Sequence, residues 1–212
     1  MTNKNCIIRL SRYKNALYRL RESGAVKVFS NNLADAIGVL PSQVRKDFSF
    51  VGISGNKRGG YQIDVLIGKL NSILGKDELQ KVIVVGAGNI GTALMKYNGF
   101  EKEGIKILAC FDIDPRKCRR SGKIPVLPLK ELKDFVIAHK IKIGVIAVPD
   151  SAAQAALDIM IASGISGVLN FAPIALKPQR EAVINNVNLE LELESVIYFV
   201  NARAKTERGS AI

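Results

Sequence analysis

Residues 81–91, KVIVVGAGNIG, constrain the fold of this chain more than any other stretch. A short β-branched run ends in three glycines spaced G-x-G-x-x-G, and the residues that follow carry a helical pattern. Strand, glycine turn and helix in that order make the first unit of a nucleotide-binding βαβ fold. Gly86 permits the tight turn out of the strand. Gly88 lets the backbone approach a pyrophosphate, and Gly91 lets the helix pack close to the sheet. The N-terminus of that helix faces the negative charge. The next apolar run ends in CFDID, whose Asp112 lies 21 residues beyond Gly91, the spacing expected of a carboxylate that grips a ribose diol. A 2′-phosphate would meet like charge there, so the motif favours NAD(H) over NADP(H). Arg116 and Lys117, a few residues on, offset part of that repulsion.

The rest of the C-terminal part repeats the alternation. The apolar runs 81–86, 105–112, 142–149 and 167–171 are separated by helical patterns at 90–98, 128–139 and 151–163. This predicts a Rossmann-type parallel sheet covered on both faces. The tail, LELELESVIYFV (189–200), begins with strand-like alternation. Yet Leu189, Leu193, Val196, Ile197 and Val200 recur at helical spacing, which predicts a helix.

The texture changes at the polar, glycine-led stretch GKDELQK (75–81), so a domain boundary is placed at 78/79. Upstream, Ile7, Leu10, Tyr13, Leu17 and Leu20 predict a helix over 7–22. Ser30 is a candidate N-cap for a short helix closed by Gly38, and Pro41 opens another, PSQVRKDFSF. GISGNKRGGYQI (52–63) predicts two short extended pieces around a basic glycine-rich loop, and a last helix covers about 64–74. Three of these four helices, with the wing, describe a winged helix-turn-helix. Its second helix carries Ser42, Gln43, Arg45 and Lys46, and its wing tip carries Lys57 and Arg58. Arginine and lysine there suit base edges, phosphates and a narrow minor groove.

Charge supports a polyanion partner. The net charge is +12, and residues 1–78 hold 13 Lys+Arg against 6 Asp+Glu, the more basic third of the chain per residue. A redox catalyst is harder to find. A hydride-transfer enzyme wants a proton donor, but the single histidine, His139, falls at the polar end of a helix where a solvated role is ordinary. Tyr97 has no Tyr-x-x-x-Lys partner, and about 63 residues follow position 149, few for a substrate domain. No catalytic residue and no metal ligand set is expected. The three cysteines, Cys6, Cys110 and Cys118, share no metal or redox spacing and fit a reduced, cytoplasmic setting. No apolar stretch reaches the roughly 18 residues of a membrane span, and the N-terminus lacks the apolar block of a secretory signal. A small NAD-dependent dehydrogenase, or a CoA- or nucleotide-binding subunit of a larger enzyme, are the alternative readings. Both leave the basic helix and wing unexplained.

SQVRKDFS, GNKRGGYQI, VVGAGNIGTAL, KYNGF, FDIDP, GVLNFAPIALK and NNVNLELELESVIYF occur in the order found in the Rex family of redox-sensing transcriptional repressors, which the chain resembles over nearly its whole length. The wing has one residue fewer between its glycines than is usual in that family. The resemblance implies a homodimer that binds double-stranded operator DNA, reads the NADH/NAD⁺ ratio and leaves DNA when NADH binds. It implies a DNA-binding domain at 1–78, an NAD(H)-binding domain at 79–187 and a helix at 188–212 swapped into the partner. It also implies cofactor contacts at Gly86, Ala87, Gly88, Asn89, Ile90, Gly91, Asp112 and Val148, with Pro149 nearby and Tyr97 near the nicotinamide end. The family often couples its domains through an arginine on the first helix and an aspartate at the start of the swapped one. Those positions hold Asn15 and Asn188 here, followed by Leu189 in place of a phenylalanine.

Overall fold

The computed structural model describes residues 4–55, 59–177 and 182–209, the last segment with side chains through 203. Residues 1–78 and 79–212 form two separate compact units. In the first, α1 (Lys4–Glu22) buries Cys6, Leu10, Tyr13 and Leu17 along one face, with Ile7 and Leu20 at its margins. α2 (Ser30–Ile37) starts one residue earlier than Ser30 as a cap would place it. Phe29 is the N-cap, and the Asn32 carboxamide oxygen accepts its backbone N–H at 2.9 Å. Gly38, at φ +72°, ends that helix. α3 (Pro41–Phe50) opens on its proline as expected, and α4 (Ile63–Ile73) closes the unit.

The wing differs from the expectation. β2 (Tyr61–Gln62) pairs antiparallel not with residues 52–55 but with β1 (Lys27–Val28), upstream of α2. Gly52, at φ +72°, and Ile53, whose N–H donates to Phe48 O at 2.8 Å, are occupied in terminating α3. A residue that closes a helix in this way cannot also extend a ladder.

One carboxylate organises the unit. Asp47 on α3 is 3% exposed. It accepts two hydrogen bonds from Arg9 (Nε to Oδ2 2.6 Å, Nη2 to Oδ1 2.7 Å), one from Tyr13 Oη (2.9 Å) and one from Gln43 Nε2 (2.8 Å). Burial pushes this carboxyl's pKa up, but the hydrogen bonds from Arg9, Gln43 and Tyr13 outweigh that and hold it below the usual carboxylate range. Around the network, Phe48 meets Tyr13 and Tyr61 edge to face at 5.4 and 5.2 Å.

In the second unit, six parallel strands lie in the order β5-β4-β3-β6-β7-β8. They are β3 (Gln80–Val85), β4 (Ile105–Asp112), β5 (Val126–Pro128), β6 (Ile143–Ile146), β7 (Gly167–Asn170) and β8 (Val183–Asn186). This is the doubly wound order, with its switch point between β3 and β6. α5 (Asn89–Lys96) and α6 (Gly99–Lys102) supply Leu94, Met95 and Phe100 to the face of Val82, Val84 and Cys110. α7 (Leu132–His139) and α8 (Asp150–Ala162) supply Val136, Leu157 and Met160 to the face of Ile83, Val85 and Phe111. A bulge at Leu108, where Val82 pairs with Ile107 and Ile83 with Ala109, keeps inward residues of both strands on matching faces. The helix expected over 128–139 begins as a 3₁₀ turn at Leu129–Glu131.

Asn170, fully buried, ties β7 to its surroundings. Its Oδ1 accepts from Ala172 N, and its Nδ2 donates to Ala172 O, Ile174 O and Asn186 Oδ1, all within 3.1 Å. The tail is a helix, α9 (Leu189–Gly209). Leu189, Leu191, Leu193, Val196, Ile197, Tyr198, Phe199 and Val200 are each 51–68% exposed on it, a wider apolar surface than the single expected stripe.

Asp47 generates the first prediction. Asp47→Ala leaves Arg9 and Tyr13 without their acceptor and destabilises residues 1–78 by about 3–5 kcal/mol, the usual cost of breaking a buried pair. Because the folded pKa lies below the unfolded one, the wild-type contribution is complete above about pH 4 and is lost as pH falls through the folded value. Denaturant melts of wild type and Asp47→Asn between neutral and acid pH check this. The wild-type curve falls more steeply on acidification.

Candidate dinucleotide site and nucleic-acid-facing helix

The glycine turn leaves β3 at Val85. Gly86 has φ +106° and donates its N–H to Phe111 O at 2.7 Å. A Cβ at Gly86 would collide with the Ala147 carbonyl and would lie 2.8 Å from Val148 Cγ1, so two strand ends and the turn meet with no room for a side chain. A Cβ at Gly91 would overlap the Gly86 carbonyl oxygen, which is how α5 comes to sit directly on the turn. Gly88, the N-cap of α5, has open space where a Cβ would stand. Asn89 and Ile90 are exposed in the first turn of α5. The unpaired N–H groups of such a helix start attract anions.

Asp112 closes the other side. It is 8% exposed at the end of β4. Its Oδ2 accepts from Ala87 N at 2.7 Å and from Lys117 Nζ at 3.4 Å, and its Oδ1 accepts from Asp114 N at 2.8 Å. Burial raises its pKa, but the backbone N–H groups of Asp114 and Ala87, together with Lys117, lower it by more, so the group stands as a carboxylate. Between this carboxylate and the start of α8 lies a cavity of about 520 Å³. Gly86, Gly88, Asp112, Ile113, Val148 and Pro149 line it. It opens at the β3/β6 switch point, where doubly wound sheets take their ligands. Its walls are apolar apart from the carboxylate end, so it offers a slot for a flat ring, a charged grip for a diol, and a helix start for phosphate. These residues fit a dinucleotide.

Sequence reasoning gave no contact role to Ile113, Asp114, Lys117 and Ile159, which line this cavity, although it set Lys117 near Asp112. The string FDIDPRK placed the first three beside Asp112, but no spacing rule marks them. Tyr97 does not line it. Its ring lies over Gly99, edge to face with Phe100 at 5.0 Å, and is 61% exposed. His139 is stacked on Phe135 at 4.0 Å at the exposed end of α7.

On α3, Ser42, Arg45 and Lys46 are exposed, while Val44, Asp47 and Phe48 point into the core. Gln43 stands apart from these three. It is half-buried with its amide donated to Asp47, so it supports the helix from behind rather than joining the exposed three. Arg45 also lines a concavity of about 500 Å³ with Phe29, Ser30, Asn31, Gly60 and Tyr61. Lys57 and Arg58 lie outside the described residues. Asn15 is exposed on α1. Asn188 caps α9, its Oδ1 accepting from Glu190 N at 2.9 Å and Leu191 N at 3.2 Å. Leu189, next to it, is 59% exposed. Among the described residues, no group of three His, Cys, Asp or Glu could hold a metal ion, and no helix is long and apolar enough to cross a membrane.

Known proteins align with both units. Residues 77–174 match the family model described as a CoA binding domain, and residues 4–49 match the "Putative DNA-binding protein N-terminus". The redox-sensing transcriptional repressor Rex of Desulforamulus reducens is 40% identical over 200 residues, 94% of this chain and 95% of that one. Its namesake from Desulfitobacterium hafniense is 38% identical over 93% and 94%. Among solved structures, RSP in complex with β-NAD⁺ and operator DNA has a TM-score of 0.90 at 32% identity, covering 98% of this chain and 96% of that one. RSP in complex with β-NADH has a TM-score of 0.84 at the same identity, covering 98% of both chains. Matched from end to end in sequence and in fold, the chain belongs to the Rex family of redox-sensing transcriptional repressors.

Proposed function

We propose that the chain is a cytoplasmic homodimeric repressor that binds double-stranded operator DNA through residues 1–78 and senses the NADH/NAD⁺ ratio through residues 79–187. NADH binding releases it from DNA, and residues 188–212 are the helix swapped into the partner. The observation that carries this reading is the presence, in one chain, of the Gly86–Gly91 cradle with its Asp112 carboxylate and of an exposed Arg45/Lys46 face on a helix-turn-helix. RSP supports it by analogy, having been solved with β-NADH and with β-NAD⁺ on operator DNA. A CoA ligand is disfavoured, because its ribose is phosphorylated and Asp112 would face that charge.

The chain's own residues divide the work. The start of α5 receives the pyrophosphate, Asp112 accepts hydrogen bonds from the ribose hydroxyls, and Ile113 and Val148 flank the apolar slot. The dinucleotide, when bound, supplies a nicotinamide that is positively charged when oxidised and neutral when reduced. A ligand shifts an equilibrium only by its differential affinity for two states. Asn15 and Asn188 cannot supply that difference as an ion pair. An amide hydrogen bond contributes about 0.5–1.5 kcal/mol, less than a charged one. The difference therefore rests on contacts near Tyr97 and on α9. The exposed Leu189, Leu193 and Val196 need a partner surface, and a second copy is the partner the swap provides.

A mobility-shift titration of wild type on operator DNA with NADH and with NAD⁺ tests the whole reading. Release by NADH alone supports it, and indifference to both ligands overturns it. Asp112→Ala loses about 1.5–3 kcal/mol of NADH affinity, the value of charge-assisted hydrogen bonds, and so represses regardless of NADH. Calorimetry checks the affinity. Arg45→Ala weakens operator binding by about 1–3 kcal/mol if it reaches a base edge, and wild-type binding falls with salt at a log–log slope of about −0.9 per phosphate contact. Filter binding across a salt series measures both. Asn15→Ala keeps the NADH response, whereas Leu189→Asp abolishes it or yields monomers, as read by anisotropy of labelled operator together with sedimentation.

A further inference from the structure

We propose that Asp114 is a second determinant, beside Asp112, of selectivity against 2′-phosphorylated dinucleotides, and that it acts by occupying Arg116. The inference rests on the reading of the cavity as an NAD(H) site. The carboxylate end of that cavity is lined by Asp112, Asp114 and Lys117, and Arg116 stands just outside the lining; the two acids and two cations are paired. Lys117 Nζ lies 3.4 Å from Asp112 Oδ2. Arg116 Nε donates to Asp114 Oδ1 and Arg116 Nη2 to Asp114 Oδ2, both at 3.0 Å, and the Arg116 backbone N–H adds a third bond to Oδ1 at 3.0 Å.

The pairing is built into the backbone. Asp114 is the N-cap of the 3₁₀ turn Pro115–Lys117, so the N–H that it caps and the guanidinium that it holds belong to one residue. Pro115 fixes the entry to that turn. Asp114 and Lys117 line the cavity. The Arg116 side chain is 90% exposed, and its two side-chain hydrogen bonds go to Asp114.

NADP(H) differs from NAD(H) by one phosphate on the ribose that Asp112 faces. Arginine is the side chain suited to receive it, because its planar fork matches phosphate in two parallel hydrogen bonds. This chain carries such an arginine four residues from Asp112, but a carboxylate fills the fork. Asp114 thereby does two things at once. It adds negative charge beside Asp112, and it competes with any phosphate for Arg116. The exposed ion pair is worth little to the fold. Its consequence lies in which ligand the guanidinium is free to meet.

The test measures NADH and NADPH affinities by calorimetry for wild type, Asp114→Asn, Asp114→Ala and the double variant Asp114→Ala/Arg116→Gln. The NADPH-to-NADH affinity ratio rises about tenfold in both single variants and falls back toward wild type in the double variant. A ratio unchanged in both single variants overturns the proposal. A rise that persists in the double variant overturns the role of Arg116. If wild type binds no NADH, the NAD(H) reading itself fails. If wild type binds NADH and the ratio does not move, only this inference fails.

Discussion

The hydrogen bond from Ala87 N to Asp112 Oδ2, 2.7 Å long, joins the glycine turn after β3 to the end of β4. Everything at the dinucleotide cavity is arranged around it. Without a carboxylate at that point the Ala87 N–H would have no acceptor, and the turn that presents Gly88 would lose its fixed orientation. Without the turn, the carboxylate would keep only the Asp114 N–H and Lys117 as partners. A charge-assisted bond of this kind contributes about 1.5–3 kcal/mol. Its larger effect is geometric, since together with the Gly86 N–H bond to Phe111 O it holds the grip for a ribose and the seat for a pyrophosphate in register.

The N-terminal unit uses the same device for another purpose. Asp47 spends its acceptor capacity on Arg9, Tyr13 and Gln43, and so pins α3 against α1. A buried carboxylate is unfavourable alone and specific when fully bonded. The inward face of α3 is thus fixed, and its outward face, with Ser42, Arg45 and Lys46, is left to solvent or to a polyanion.

Much of this could be read from local chemistry. Pro41, Gly38 and the glycine turn set helix ends because proline and glycine act through their own backbone, whatever surrounds them. The parallel strands at 105–112 and 167–171 stood out as buried apolar runs. The parts that could not be read depend on distant partners. β5 has three residues and ends in Pro128, and β8 is VINN, half polar, so neither carries a period. Each is a strand because a neighbour pairs with it along its whole length, β4 with β5 and β7 with β8. The pairing of Tyr61–Gln62 is of the same kind, since its partner lies more than thirty positions upstream. Nothing local marks Asp47 as buried or Gln43 as its hydrogen-bond partner. Only Arg9 and Tyr13, from another helix, explain its burial.

Asn188 holds the start of α9 with a neutral amide, accepting two backbone N–H groups. A carboxylate at this position would cap as well, but it would take up a proton in acid and its attraction to the helix dipole would fade in salt. The amide does neither. The cap itself is therefore indifferent to acid and to salt, and whatever sensitivity the start of α9 has to either comes from Glu190 and Glu192 in its first turn.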